Sequence, residues 1–183
     1  MPIFKQLQGH TLKSFLQMPI SCLVKKFRLA LFDAAKRGVR VILLLQERIE
    51  HPLFNYAAKA LYCSFLEAGV QIYEYHKGVM HAKVAVIDSH WATIGSSNFD
   101  PFSLLLSLEA NIVIDDQPFA KTLTHSLETA IADRAYKVEP DIWKTKPVRQ
   151  KIASWICYAL ARFITGMAGV APDNLVDENN REC

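Results

Sequence analysis

The residues best suited to chemistry lie close together near the middle of the chain. His81 is followed two residues later by Lys83, and Asp88 comes five residues after that lysine. A Gly-Ser-Ser-Asn segment then occupies residues 95–98. An imidazole can attack phosphorus or carry a proton near pH 7, and an ammonium group attracts a phosphate oxygen. The spacing therefore predicts a phosphate site with a nitrogen nucleophile, without a metal or a cofactor.

Strand geometry gives these residues a shared direction. Side chains alternate between the two faces of a strand, so His81 and Lys83 are expected to point the same way. Ala82, Val84 and Val86 would then point to the opposite face, where they can join the core.

The Gly-Ser-Ser-Asn segment adds hydrogen-bond donors to this predicted site. Asn98 can donate its amide NH2 group to a phosphate oxygen, and Ser96 and Ser97 contribute hydroxyl groups. Gly95 lets another backbone or a ligand approach closely because it has no side chain.

The surrounding sequence alternates between helical and strand patterns. Apolar residues recur at helical spacing from Leu23 until Gly38, and a run of branched apolar residues follows that glycine. The predicted strands are 39–45, 70–75, 79–87, 91–95 and 109–114, and later helices are predicted over 54–68 and 119–132. This order predicts a layered α/β/α domain with a mixed central sheet. The first 20 residues show no clear period.

Composition limits the possible functions only loosely. A chain of 183 residues can form one core, and a second full domain is not expected. The net charge of +3 fits a phosphate-bearing partner or an anionic membrane surface without requiring either. The N-terminus lacks a signal-peptide pattern. The four cysteines are expected to be free thiols in a reducing compartment: Cys22, Cys63, Cys157 and Cys183.

The C-terminal part of the chain has a different character. Basic residues at 144–151 precede an apolar run over 152–170 that carries one charge, Arg162. Trp155 and Tyr158 suit a membrane interface, so we predict a helix that lies in or dips into the membrane surface. The alternative is a helix that packs on the domain or on a partner chain. Residues 173–183 are expected to be disordered.

The central pattern, H-x-K-x(4)-D followed by G-S-x-N, resembles the signature of the phospholipase D superfamily. Residues 81–114 are similar to the C-terminal half of bacterial cardiolipin synthases, especially the type without paired N-terminal transmembrane helices. The resemblance covers about residues 27–132. It implies a phospholipase D-like half-domain over 27–140, a lead segment over 1–26 outside the family, and a membrane-associating helix and tail over 141–183.

The resemblance also implies a two-step mechanism. One histidine attacks the phosphodiester to give a phosphohistidine while a second protonates the leaving alcohol, and an alcohol or water then resolves the intermediate. His81 corresponds to one of these histidines, and Lys83, Ser96 and Asn98 to the groups that hold phosphate oxygens. The family would need no cofactor.

Two acidic residues have different roles in this resemblance. Asp88 belongs to the catalytic motif but lies at a predicted hairpin turn, where it is expected to fix the backbone. Glu109 resembles the family's acidic residue that orients an imidazole, and its alternative is a solvated carboxylate at a strand edge.

The chain carries one motif where the family's catalytic site needs two. The remaining histidines have no lysine at the second following position: His10, His51, His76, His90 and His125. The chain is therefore expected to be a truncated or frameshifted remnant, or a subunit that pairs with a second motif-bearing half or with its own copy.

Three functions follow from these expectations. The first is phosphatidyl transfer between phospholipids such as phosphatidylglycerol, at the cytoplasmic face of a bacterial inner membrane, by a peripheral protein. The second is a homodimeric nuclease or phosphodiesterase, although the weak positive charge does not favour nucleic acid as a partner. The third is an inactive fragment.

Overall fold

A mixed β-sheet runs through the part of the chain that the computed structural model describes, namely residues 7, 13–17, 25–47, 52–96 and 108–167. Its strands are β1 (Lys13–Gln17), β2 (Arg40–Gln46), β3 (Gln71–Tyr75), β4 (Lys83–Ile87), β5 (Trp91–Gly95), β6 (Asn111–Asp115) and β7 (Ala135–Lys137). The strand order is β6-β5-β4-β1-β2-β3-β7. β1, β2 and β3 are parallel, and the other neighbours are antiparallel.

Helices cover both faces of this sheet. They are α1 (Lys25–Lys36), α2 (Pro52–Ala60), α3 (Tyr62–Glu67), α4 (Gln117–Arg134), α5 (Pro140–Lys144) and α6 (Val148–Met167). Leu127 of α4 packs with Leu44 on one face, whereas Phe65 of α3 packs with Leu43 on the other. Alternate residues of β2 are thus buried on opposite faces, as expected for a strand between two helical layers. The predicted α/β/α architecture is confirmed.

β4 and β5 form the predicted hairpin. Asp88 and Ser89 at its turn have positive φ angles of 53° and 50°. The His90 amide donates to the Ile87 carbonyl at 3.1 Å, the hydrogen bond that closes a four-residue turn. Aspartate tolerates this left-handed conformation better than most residues, which explains its place here.

The strand that carries the lysine of the motif starts later than predicted. The pattern predicted a strand from Val79, but β4 begins at Lys83, and residues 79–82 lie outside the ladder. Val84 and Val86 are buried as expected, whereas Ala82 is exposed, so its predicted place in the core is wrong. The reason is that residues 78–80 hydrogen-bond to a side chain of β2 instead of to a neighbouring strand.

The helix predicted over 54–68 is two helices, α2 and α3. The Leu61 amide donates to the Ala58 carbonyl at 3.1 Å, three residues back. This is a 3₁₀-type hydrogen bond, and it interrupts the α-helical pattern between α2 and α3. The predicted helix over 119–132 is confirmed as α4, and Asp116 caps it by accepting the Phe119 amide at 2.7 Å.

The first 20 residues contain a central strand that the sequence did not reveal. β1 lies between β4 and β2, and it pairs antiparallel with the first and parallel with the second. Its five residues, Lys-Ser-Phe-Leu-Gln, are too few to display a period of their own.

The C-terminal helix α6 begins at Val148 and packs against α2. Ala161 is fully buried, and the Tyr158 hydroxyl accepts a hydrogen bond from Arg28 at 3.0 Å. One face of α6 therefore packs on the domain, as in the alternative to membrane insertion. Among the described residues, no helix is long and apolar enough to cross a membrane. Residues 168–170 and the predicted disordered tail lie outside the described part.

Candidate phosphate-binding site

Most of the predicted site residues that the structure describes lie at one edge of the sheet. Lys83 at the start of β4 pairs with Gly95 at the end of β5, and Gly95 pairs with Asn111 at the start of β6. Paired residues project to the same face, so these three form a row across the sheet edge. The C-terminal ends of β2 and β3 lie at the same edge because Gln46 pairs with Tyr75 there.

His81 and Lys83 are in direct contact at this edge. The Lys83 Nζ atom lies 2.5 Å from Nε2 of His81 and 3.3 Å from the His81 carbonyl oxygen. An ammonium group can only donate, so Nε2 accepts and its lone pair points at Nζ. Lys83 is 8% exposed, whereas His81 is exposed. The two side chains point the same way, as predicted, and an anion that reaches His81 meets a partly desolvated positive charge.

A glutamine side chain holds the segment that presents His81. Gln46 Nε2 donates to the Gly78 carbonyl at 2.9 Å, and Gln46 Oε1 accepts the Met80 amide at 2.7 Å. The primary amide thus replaces a strand neighbour for this segment, and Gly78 turns the chain there with φ of 108°. The sequence analysis missed Gln46, whose only signal is a polar residue at the end of an apolar strand.

Gly95 is required by the close approach of Asn111 in β6 and of Ala110 just before that strand. A Cβ atom at this position would overlap Oδ1 of Asn111 and the carbonyl oxygen of Ala110. The close approach expected at Gly95 is therefore made by β6 itself. Asn111, which the sequence analysis did not select as a site residue, lies over the glycine in the same row as Lys83.

Ser96 ties the Gly-Ser-Ser-Asn segment to the residues before β6. Its amide donates to the Ala110 carbonyl at 3.0 Å, and its hydroxyl oxygen accepts the Ala110 amide at 3.1 Å. The hydroxyl thus fixes the strand edge, and contact between Ser96 and phosphate stays a prediction. Asn98 lies outside the described residues, so its predicted role also stays a prediction.

The two acidic residues lie in different places. Asp88 is at the opposite end of β4, five residues from Lys83, or about 16 Å at about 3.3 Å per residue. This position fits the expected backbone role and not contact with substrate. Glu109 lies near the site edge, beside Ala110. Within the described residues it makes no hydrogen bond to an imidazole, so the predicted orientation of an imidazole by Glu109 stays a prediction.

The far end of the hairpin is held separately. The Ser89 hydroxyl lies 3.2 Å from that of Thr124 on α4, and His90 Nδ1 lies 2.8 Å from an Asp115 carboxylate oxygen. These contacts anchor the turn to α4 and β6. Lys83 lies at the opposite end of β4 and takes no part in them.

The protein thus belongs to the α/β class, with a histidine–lysine pair at one edge of its sheet. The family model described as "Cardiolipin synthase, PLD-like domain" matches residues 5–131. The chain belongs to this family, as the central motif predicted. The match ends close to the predicted limit of 132, and it begins within the lead segment 1–26.

Curated relatives agree with the family match. The chain is 37% identical to cardiolipin synthase B of Escherichia coli K12 over 147 residues, which are 80% of this chain and 36% of that protein. It is 36% identical to the minor cardiolipin synthase ClsB of Bacillus subtilis over 140 residues, which are 76% of this chain and 35% of that protein. The chain thus spans about a third of the length of these relatives.

Solved structures share the fold. The phospholipase D family member Nuc from Salmonella typhimurium superposes with a TM-score of 0.63 at 18% identity, over 75% of this chain and 89% of that one. Phosphatidylserine synthase from Haemophilus influenzae superposes with a TM-score of 0.66 at 13% identity, over 92% of this chain and 43% of that one.

Proposed function

We propose that this chain contributes half of a phosphatidyl-transfer site of the cardiolipin synthase type. The observation that carries the proposal is the contact of His81 Nε2 with Lys83 Nζ at the sheet edge, in a chain of this family. An imidazole nitrogen next to a partly buried cation suits attack on a phosphodiester, once a phosphate oxygen replaces Nε2 as the acceptor of the Lys83 ammonium group. The names of the curated relatives support the transfer of phosphatidyl groups.

The proposed reaction has two balanced steps. One histidine forms an N–P bond while the bond from phosphorus to the leaving alcohol breaks, and a second histidine gives that alcohol its proton. The hydroxyl of a second phospholipid then attacks phosphorus, the N–P bond breaks, and the second histidine takes the hydroxyl proton. His81 fills one of these two roles, and Lys83, with Ser96 and Asn98, would hold the phosphate oxygens.

The second histidine must come from elsewhere in this proposal. The described sheet edge presents one histidine–lysine pair, and the curated relatives are nearly three times longer than the matched region. A second motif-bearing half or a second copy of this chain would supply the missing imidazole across the site. The substrates would be phospholipids such as phosphatidylglycerol, reached from the cytoplasmic face of the membrane by a peripheral protein.

The test is phosphatidyl transfer by the purified protein with phosphatidylglycerol vesicles, measured as cardiolipin formed and glycerol released. His81→Ala should abolish both products while circular dichroism stays unchanged, because His81 is exposed. His125→Ala, an exposed histidine on α4, is the matched control and should keep full activity. Undiminished cardiolipin synthesis by the His81 variant contradicts the assignment.

A homodimeric phosphodiesterase is the second candidate. It is favoured by the similarity to Nuc. This chain covers 89% of that chain, so a polypeptide with this fold and about this length exists without a second half in the same chain. Under this alternative the protein is a dimer by light scattering, cleaves bis(p-nitrophenyl) phosphate, and forms no cardiolipin. A monomer without either activity indicates an inactive fragment or a chain that needs a separate motif-bearing half.

A further inference from the structure

A second cationic site lies away from the sheet edge, in a cavity between α2, α5 and α6. The cavity has a volume of about 240 Å³ and is lined by Lys59, Lys146 and Lys151, together with Trp143 and Trp155. No carboxylate is present among its described lining residues. Three ammonium groups around one small cavity give it a positive potential that favours an anion.

The charge of Lys146 is poorly compensated in this cavity. Its Nζ atom lies 3.9 Å from the centre of the Trp143 ring. Burial lowers the pKa of Lys146, and the nearby charge of Lys59 lowers it further, although the carboxylate of Glu74 acts in the opposite direction. A bound anion would offset both unfavourable effects.

A buried hydroxyl completes the lining. Ser154 of α6 is 7% exposed, and its hydroxyl makes no hydrogen bond to another described residue. A buried hydroxyl without a partner is costly unless a ligand or water satisfies it. Ammonium and hydroxyl donors together match the oxygens of a phosphate group.

An exposed apolar face of α6 begins at this cavity. Its large side chains recur at helical spacing, and all are at least 43% exposed: Val148, Ile152, Trp155, Ile156, Leu160, Phe163 and Ile164. We call this face the α6 stripe. Trp155 belongs both to the stripe and to the cavity wall. A lipid molecule presents the same combination, with an anionic phosphate next to acyl chains.

We propose that the cavity binds the phosphate of an anionic phospholipid while the α6 stripe lies among the neighbouring acyl chains. The cavity is smaller than the roughly 300–1,000 Å³ of pockets that enclose drug-sized ligands, so it suits a headgroup and not a whole lipid. The lysines would lie at the level of the headgroups, with the helix parallel to the surface. This site rests on the proposed location at the membrane, but it does not depend on the transfer reaction.

The test is sedimentation of the purified protein with vesicles of phosphatidylcholine alone or mixed with phosphatidylglycerol. Lys59→Gln and Lys146→Gln should each weaken binding to the mixed vesicles about fivefold. The matched control is Lys121→Gln, an exposed lysine on α4, which should bind as the wild type does. Phe163→Ser, in the stripe but outside the cavity, should weaken binding to both kinds of vesicle. Circular dichroism verifies that each variant is folded.

The outcomes distinguish binding of a lipid from binding of free phosphate. They also test this site independently of the proposed transfer reaction. Equal binding of mixed vesicles by the lysine variants and the wild type overturns the proposal. So does tight binding of inorganic phosphate that depends on Lys146 while vesicle binding does not. Undiminished cardiolipin synthesis by His81→Ala would refute the transfer proposal alone, since lysine-dependent binding of mixed vesicles by the wild type would still support this site.

Discussion

The sheet edge with the histidine–lysine pair and the cavity beside α6 both carry positive charge, but they are built differently. At the edge, strand register places Lys83 beside Gly95, and the lysine contacts His81, two residues away. In the cavity, segments distant in sequence bring Lys59 and Lys146 together, and the described lining residues include no histidine. The first arrangement can attack an anion, whereas the second can only bind one.

This difference matches the separate roles that we propose for the two sites. Hydrogen-bonded strands hold neighbouring side chains at fixed spacing, which suits a reaction that needs exact alignment. Packed helices leave a cavity whose charge and shape tolerate more variation, which suits attachment to a lipid surface. The following variants test whether chemistry and attachment are separable in this way.

The largest effect is expected from Lys83→Gln. Loss of the charge that faces His81 should lower phosphodiester turnover by ~10²–10³, the range found when one donor to a developing oxyanion is removed. The measurement is kcat/KM on a small water-soluble phosphodiester, so that membrane attachment does not contribute. Lys146→Gln should leave this value unchanged. A similar loss in both variants would mean that the two sites act as one.

Gly95→Ala should damage the edge through packing. The new methyl group meets the Ala110 carbonyl, which is backbone and cannot move aside cheaply, as well as the Asn111 side chain. We expect a loss of about 1–3 kcal/mol in the free energy of unfolding, the usual range for overpacking. Denaturant unfolding measures it.

A double variant separates the two contacts of Gly95. Adding Asn111→Ala should restore only part of the stability, because the carbonyl contact remains. Full restoration would show that the side chain alone excludes a residue with a Cβ atom at this position.

Gln46→Ala should loosen the segment that presents His81. The Gly78 carbonyl and the Met80 amide would lose their partner, and two such bonds contribute about 1–3 kcal/mol together. Because His81 belongs to this segment, turnover should also fall. Gln71→Ala, which removes only a long, exposed contact to Arg40, is the control and should change the unfolding free energy by less than about 0.5 kcal/mol. Equal losses of unfolding free energy in the two variants would argue that Gln46 does not hold this segment in place.

The edge could be predicted largely from sequence because its chemistry is local. Lys83 follows His81 by two positions, so strand alternation predicts that both side chains lie on one side, and the two are in contact although His81 lies just before β4. The hydrogen bonds of Gln46 could not be predicted in this way. Gln46 contacts Met80 across 34 residues of sequence, and a glutamine at a strand end is not distinctive. β1 was missed for a related reason, since its position is decided by β2 and β4 and not by a pattern of its own.

The cavity was partly visible in sequence. The basic residues before the apolar run suggested contact with anionic lipid, and the run itself suggested a membrane helix. Periodicity could not reveal that one face of α6 packs on α2, nor that Lys59 completes the cluster, because neither follows from residues within the helix.

The smallest effect concerns the pH dependence of stability through Lys146. Its pKa is lowered in the folded protein, chiefly by burial and then by Lys59, with Glu74 acting against both. Below that lowered value both the folded and the unfolded chain carry the charge, so the folded state bears the full penalty. As the pH rises from there toward 10.5, the ordinary value, the folded state releases its proton first and gains stability relative to the unfolded state.

Lys146→Met removes this titration. The variant should match the wild type within about 0.5 kcal/mol near neutral pH, because relief of the penalty is offset by loss of the contact with Trp143. At alkaline pH the wild type should gain stability relative to the variant, as measured by denaturant unfolding at both pH values, and Lys121→Met controls for the loss of a lysine elsewhere. A difference between wild type and Lys146→Met that does not change with pH would mean that the charge of Lys146 is already compensated, and the cavity would then have no electrostatic reason to bind a phosphate.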